Sequence, residues 1–405
     1  MFAVIGFSFL ALALAFSARA VLGLVMPIVE QELGWSRSFT SGAAGLALLV
    51  MAVIAPIGGR FVDKQGARAI LLIGLGTLAV GCFLVAVSSH PIAFLLAFSG
   101  VSAVGFGLVA THVVSTAVEQ CVKSNQGLAT GIAVSGSTGG QFIILPALAL
   151  LIGAYDWRLS FVVLGVGSIL AMFMIQVWFP SDRNREQRDE DVTSNHASVW
   201  SDLRKIAKLP AFQILFWSYF ICGYTTTGVI ETHFIPYSLI CGFSPVLSAS
   251  AYGVLSAVNL AGMILAGWLT DRMSRPLLLF LIYLVRGVTF VILLNVGASF
   301  ETLILFAVLF GLADYSTVPA TASLVATHIG RHVMGLAFGI ISAGHQVGAA
   351  AGAYLGGVLF DLYADYGWVW WSSVWLAVFA GMLVIFLKDK PSDTARADQF
   401  VAGVS

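Results

Sequence analysis

GLATGIAVSGSTGG, residues 127–140, returns 208 positions later as GLAFGIISAGHQVG, residues 335–348, with seven of fourteen positions identical. At the same offset GGRFVDKQGAR (58–68) falls on AGWLTDRMSRP (266–276). A chain of 405 residues that matches itself at about half its length is built twice on one plan. Working outward, each copy holds six apolar stretches of the roughly 20 residues that carry a helix across a bilayer. They lie near 2–29, 41–59, 70–88, 92–118, 128–151 and 158–179, and again near 211–237, 247–269, 277–296, 302–326, 334–359 and 368–387.

The composition requires a membrane. Hydrophobic residues make up 59% of the chain and charged residues 10%, and the mean hydropathy is +0.94. Soluble domains carry about 25% charge, so this chain lacks the polar surface to cover itself in water. The fold class expected is an all-α membrane protein of twelve transmembrane helices in two six-helix pseudo-repeats. Net charge is zero and gives no sign of a nucleic-acid partner. The four cysteines, Cys82, Cys121, Cys222 and Cys241, have no CxxC spacing and read as small packing residues. No metal ligand set and no cofactor are expected. The N-terminus enters an apolar run without a basic lead, so it reads as a first membrane helix and not a cleaved signal.

The only long charged segment is PSDRNREQRDEDVTSNHASVWSDLRKIAKLP, 180–210. It reads as a solvated linker with a short amphipathic helix. The expected units are a bundle over 1–180, a linker over 181–210, a second bundle over 211–390 and a tail over 391–405. Of the 20 Lys and Arg residues, only Arg37 and Arg158 fall in the loops of one face and only Arg19 and Arg286 in spans. All the others lie on the opposite face, which the positive-inside rule makes cytoplasmic, together with both termini.

Gly59-x-x-x-Asp63-Lys64-x-Gly66-x-Arg68 joins the second and third spans on that basic face, and Asp271-Arg272 mark a degenerate second copy with Ser274 in place of Gly66. A glycine lets two helices approach closely, an acid near a helix N-terminus is favoured by the dipole, and Gly66 suits a tight turn. This loop resembles the signature loop of the major facilitator superfamily, and with the repeat the resemblance covers essentially the whole chain. It implies a carrier whose spans 1, 4, 7 and 10 line a central cavity, with the loop latching the cytoplasmic ends in one state. GWSRSFTSG (34–42), GYTTTGVIETHFIPY (223–237), GLADYSTVPATASLVATHIGR (311–331) and FGIISAGHQVGAAAGAYLGG (338–357) resemble bacterial monocarboxylate-porter-like members. Animal members carry an Asp and an Arg in the eighth span, and the eighth span here has no charge.

An ionisable side chain at bilayer depth costs at least about 2.5–3.5 kcal/mol and asks for a partner or a wet cavity. The chain has Arg19 in span 1, His112 in span 4, Glu231 and His233 in span 7, Arg286 in span 9, Asp314 in span 10 and His345 beside Gln346 in span 11. Arg19, His112, Tyr224, Glu231, His233, His345 and Gln346 are the candidate substrate contacts. Glu231 and Asp314 are the candidate proton carriers, Glu231 is expected within reach of Arg19 in at least one state, and Pro236 is expected to end the seventh helix. Arg286 and Asp314 are expected to form a buried ion pair.

These readings point to a secondary active carrier for a small organic anion, moved across a bacterial inner membrane with protons. The alternative is a proton-antiport efflux carrier for amphipathic compounds. Partners expected are a small-molecule substrate, protons and the lipid bilayer, with the protein a monomer. No G-x-x-x-x-G-K-[ST] loop occurs, so ATP-driven transport is not expected, and enzymatic chemistry has no motif.

Overall fold

Ser36 accepts a hydrogen bond from the Phe39 N–H at 3.2 Å and opens span 2. Ser244, 208 positions on, accepts from the Leu247 N–H at 3.3 Å and opens span 8. The repeat is therefore written into the caps as well as the apolar runs. The computed structural model describes residues 2–179, 204–331 and 333–389. Spans 1 to 6 are Phe2–Leu33, Arg37–Gln65, Ala67–Val87, Pro91–Cys121, Gln126–Ala154 and Trp157–Trp178. Span 7 covers 210–240, and spans 8 to 12 are Pro245–Thr270, Arg275–Leu294, Phe300–His328, Met334–Tyr363 and Gly367–Ile385. Among the described residues 11 helices are long and apolar enough to cross a membrane. Span 7 completes the two sets of six; it is helical throughout but turns π-helical over Tyr224–Ile230. The linker over 180–203 and the tail from 390 lie outside the described residues, and 204–207 is a single helical turn before Pro210.

The central spans are irregular. Span 4 is π-helical over Leu96–Ser102 and breaks at Val109 and Ala110. Span 5 pauses at Ser135, and span 10 breaks between Ala313 and Thr317. Such interruptions free backbone groups and are tolerated at membrane depth only where protein or a wet cavity satisfies them. Pro236 does not end the seventh helix, as its position suggested. The helix runs on to Ile240, and the Thr232 hydroxyl donates to the Thr227 carbonyl beside the π-helical turn.

Within each half the packing repeats. Span 1 lies on spans 5 and 6 and span 3 on span 6; span 7 lies on span 11, span 8 on span 10 and span 9 on span 12. Between halves, span 2 packs along span 11 and span 5 along span 8. These contacts are made by backbone. A Cβ on Gly59 would stand 1.9 Å from the Gly335 carbonyl oxygen, and one on Gly267 would stand 2.4 Å from that of Gly127. One turn further in, a Cβ on Gly339 would stand 2.4 Å from the Ala55 carbonyl oxygen and one on Gly131 2.5 Å from that of Met263. On the opposite face Arg158 and the Trp157 indole both donate to Glu32, at 2.6 and 3.0 Å, which braces span 6 on span 1 inside one half.

Gly335→Ala therefore wedges spans 2 and 11 apart at the basic face. Overpacking of this kind costs about 1–3 kcal/mol, a shift of roughly 5- to 150-fold away from the closed basic face. Distances between spin labels on the basic ends of spans 2 and 11 check it, and unchanged distances would contradict the packing argument.

Candidate transport site and gate

A cavity of about 40 Å³ lies where the halves meet, room for roughly three waters. Span 1 lends it Phe16 and Arg19, span 4 lends Thr111 and His112, span 7 lends Tyr219 and Thr227, span 10 lends Tyr315, and span 11 lends Ser342, His345 and Gln346. Arg19 stacks its guanidinium on the Phe16 ring at 4.8 Å and makes no ion pair among the described residues. His345 faces the Tyr219 ring at 4.9 Å. His112 Nε2 and Gln346 Oε1 are buried without a hydrogen-bond partner. The cavity thus offers one planar cation, two imidazoles and an amide with unmet polar atoms.

A second, smaller pocket lies beside it and shares Phe16 and Tyr315. It holds Glu231 and Asp314 between spans 1, 5, 7, 8 and 10. Glu231 Oε1 accepts from the Tyr315 hydroxyl at 3.1 Å and from the Thr227 hydroxyl at 3.2 Å. Asp314 Oδ2 accepts from the Asn259 amide at 2.9 Å, while its Oδ1 has no partner. Arg19 and Glu231 are not within ion-pair distance. Tyr315 stands between them, on the wall of both pockets.

Three expectations are corrected. Tyr224 turns into its own half, where its hydroxyl meets Ser372 at 3.4 Å. On a regular α-helix Tyr224 and Glu231, seven residues apart, would share a face, but the π-helical turn between them holds more residues per turn and breaks that register. His233 bonds to the Tyr366 hydroxyl at 3.3 Å and to the Ala353 carbonyl at 3.0 Å, so it is a satisfied packing residue. Two residues from Glu231, it points the opposite way. Arg286 and Asp314 do not form a side-chain ion pair. The fully buried Arg286 guanidinium instead donates to the backbone carbonyls of Ala313, at 2.8 Å, and Asp314, where span 10 breaks. It also donates to Cys222 Sγ at 3.1 Å and Thr225 Oγ1 at 3.2 Å, where span 7 turns π-helical. One cation thereby satisfies carbonyls at the break in span 10 and ties them to side chains of span 7.

At the basic face two carboxylates reach across the halves. Asp63 accepts from the Gly335 and Leu336 N–H groups, each at 2.8 Å, and so caps the start of span 11. Asp271 accepts from the Gly127 and Leu128 N–H groups, each at 2.8 Å, at the start of span 5. The sequence suggested a helix dipole for Asp63, but the helix belongs to the other half. Gly66 takes a φ of 82° at the turn that follows. Lys64 is exposed, Arg68 donates to the Gln176 carbonyl of its own half, and Arg272 lies over Trp268 at 4.3 Å. Between the latches, Arg331 donates to Gln126 at 2.8 Å and lies 3.7 Å from the buried Glu119 carboxylate.

The sequence profile of the Major Facilitator Superfamily matches residues 8–294 and 259–402. The chain belongs to that superfamily. It is a multi-pass membrane transporter with the superfamily fold of two six-helix repeats. An uncharacterised major-facilitator-type transporter of Bacillus subtilis, YcxA, is 24% identical over 88% of this chain and 88% of its own length. Mouse monocarboxylate transporter 12 is 25% identical over 82% of this chain and 74% of its own length. Among solved structures, the proton:xylose symporter XylE superposes with a TM-score of 0.77 at 13% identity, covering 98% of each chain. The Escherichia coli fucose:proton symporter FucP superposes with a TM-score of 0.75 at 15% identity, covering 97% of this chain and 100% of its own.

A search of the sequence for charges brings Arg19, His112, His345 and Gln346 into the cavity and Glu231 and Asp314 into the pocket beside it. It passes over Tyr219, Tyr315, Thr111 and Asn259, which are neutral. Asn259 carried a usable signal, because an amide inside a span needs a partner.

Two predictions test this geometry. Asp63→Asn keeps only one of two acceptor oxygens, which removes a charge-assisted bond of about 1.5–3 kcal/mol. Transport is expected to slow strongly while expression stays near normal; equal loss of both would make Asp63 merely structural. Arg286→Ala leaves the span 10 carbonyls unsatisfied and is expected to cost at least about 2 kcal/mol. Adding Asp314→Ala is expected to give no rescue, because Arg286 holds the Asp314 carbonyl and not its carboxylate. Melting of the purified double variant above the sum of the singles would restore the ion pair.

Proposed function

We propose that this transporter is a proton-coupled secondary carrier of a small organic anion of the monocarboxylate kind, working by alternating access. The observation that carries this reading is Arg19, a guanidinium on the cavity wall with no carboxylate in ion-pair range among the described residues, on a wall that it shares with Tyr315, the donor to Glu231. Its planar fork suits a carboxylate. His112, His345 and Gln346 stand beside it to orient the anion. The similarity to mouse monocarboxylate transporter 12 and the fold shared with two proton symporters agree in kind with the reading. The Bacillus relative supports a bacterial inner membrane.

The basic face is cytoplasmic by the positive-inside rule, as are both termini. Closure of that face makes this the outward-facing form. The bundles 1–180 and 211–390 rock about the cavity, tied by the linker 181–210, and the carrier acts as a monomer without nucleic-acid or enzymatic work. Cargo at Arg19 lies against Tyr315, whose hydroxyl holds Glu231. Drawing that hydroxyl toward the anion leaves Glu231 short of a donor, and a proton replaces it.

Arg19→Ala is expected to raise the KM for carboxylate uptake into proteoliposomes by roughly 10- to 100-fold, the worth of a charge-assisted contact. Glu231→Gln is expected to abolish accumulation driven by a pH gradient yet keep cargo-for-cargo exchange, since exchange releases no proton. Accumulation by Glu231→Gln would move the proton to Asp314. Counterflow of cationic amphipaths alone, with no carboxylate uptake, would replace the reading with drug efflux.

A further inference from the structure

The pocket beside the cavity has features that a proton carrier alone does not require. Its volume is about 20 Å³, room for one occupant the size of a water. Asp314 is 5% exposed and lines this space, and its buried Oδ1 has no hydrogen-bond partner. Several neighbours have already committed their hydrogens. Ser137 donates to the Val134 carbonyl at 2.7 Å and Ser256 to that of Tyr252 at 3.0 Å, leaving their lone pairs for the pocket. Asn259 spends its amide on Asp314 Oδ2, and its Oδ1 takes the Tyr315 N–H at 3.3 Å. Glu231 adds a second carboxylate, and neither acid forms an ion pair with an Arg or Lys among the described residues. The charged groups around them are Arg286, which grips the Asp314 carbonyl from behind, and Arg19 on the far side of Tyr315.

We infer that this pocket binds a small monovalent cation, sodium, with Asp314 Oδ1 as its principal ligand and Glu231, Ser137 and Ser256 as further oxygen donors. Beside Phe16 and Leu255, the lining is made of carboxylate, hydroxyl and amide side chains, whose oxygens are the donor set of a hard cation, with no His or Cys. A single atom-sized space suits a bare ion better than a cationic group attached to a larger molecule. The break in span 10 delivers the ligand, as discontinuous helices do at the ion sites of other carriers. The inference deepens the carrier reading by naming a second coupling ion, and its purpose rests on that reading. Binding itself does not.

The test is melting of the purified full-length protein in NaCl against choline chloride at constant ionic strength, with KCl and NH4Cl as further arms. A saturable rise with NaCl and none with choline is expected. Asp314→Asn is expected to abolish the rise, and Asn259→Ala to weaken it should the first variant fail to fold. Glu231→Gln keeps an oxygen and is expected to shift the midpoint about tenfold, the loss of one charged ligand. Sodium and a proton compete for one oxygen, so the midpoint is expected to rise by about tenfold per unit of acidification where the acid titrates. Melting that is identical in NaCl and choline at every pH overturns the inference, as does stabilisation by NH4Cl alone. Sodium binding without carboxylate uptake would sink the carrier reading of cargo and leave the pocket standing.

Discussion

Everything in this fold that closes one face depends on a carboxylate from one half seated on the first N–H groups of a helix in the other. The contact occurs twice, Asp63 on Gly335 and Leu336 and Asp271 on Gly127 and Leu128, with both members displaced by 208 residues. It is self-complementary in the way of a two-fold interface, although it lies within one chain. The orphan N–H groups of a helix start and the positive end of its dipole make the site; the carboxylate supplies charge and two acceptors. Glycine sets the distance, since a side chain at Gly59 or Gly267 would hold the helix starts out of reach.

The same chemistry makes the closure reversible. Hydrogen bonds to helix ends exchange for water at modest net cost, unlike an interlocked apolar core. The tight backbone approaches between halves cluster toward the basic face. Gly23, Gly42, Gly45 and Gly153, toward the other face, have no atom within 4 Å of where a Cβ would stand. Opening the closed face therefore separates polar, wettable contacts while each half keeps its own packing.

The sequence made the fold legible because its physics is local and repeated. Twenty apolar residues report a span, and an offset of 208 reports two halves and locates partner residues before any coordinates. Which way a side chain points is a different kind of information. A π-helical turn leaves no mark in hydropathy, yet the one at 224–230 decides that Tyr224 leaves the cavity while Glu231 borders it. The charge rule failed at Arg286 for a related reason. It assumes that a buried cation seeks an acid, but a broken helix exposes carbonyls that serve as well. Neutral residues such as Tyr219 and Tyr315 carry too little cost of burial to stand out from a sequence.

Span 10 joins the cavity to the gate. Its first half, Phe300–Ala313, ends where Arg286 holds the last carbonyls; its second, Thr317–His328, begins just past Tyr315 and leads to Arg331. Arg331 is the residue that meets Glu119 and Gln126 across the closed face. A short helix is stiff along its axis, and Thr317–His328 runs from the break to the turn at Gly330 that precedes Arg331. The break is the soft point, and Tyr315 is on it, with its hydroxyl on Glu231 and its ring on the wall that Arg19 shares. In the proposed cycle the Arg286 anchor would hold the end of the first half of span 10 while the second half moves. If the basic face opens as proposed, the geometry around Tyr315 changes with it, and by reciprocity occupancy at Tyr315 would bias the opening by the same free energy.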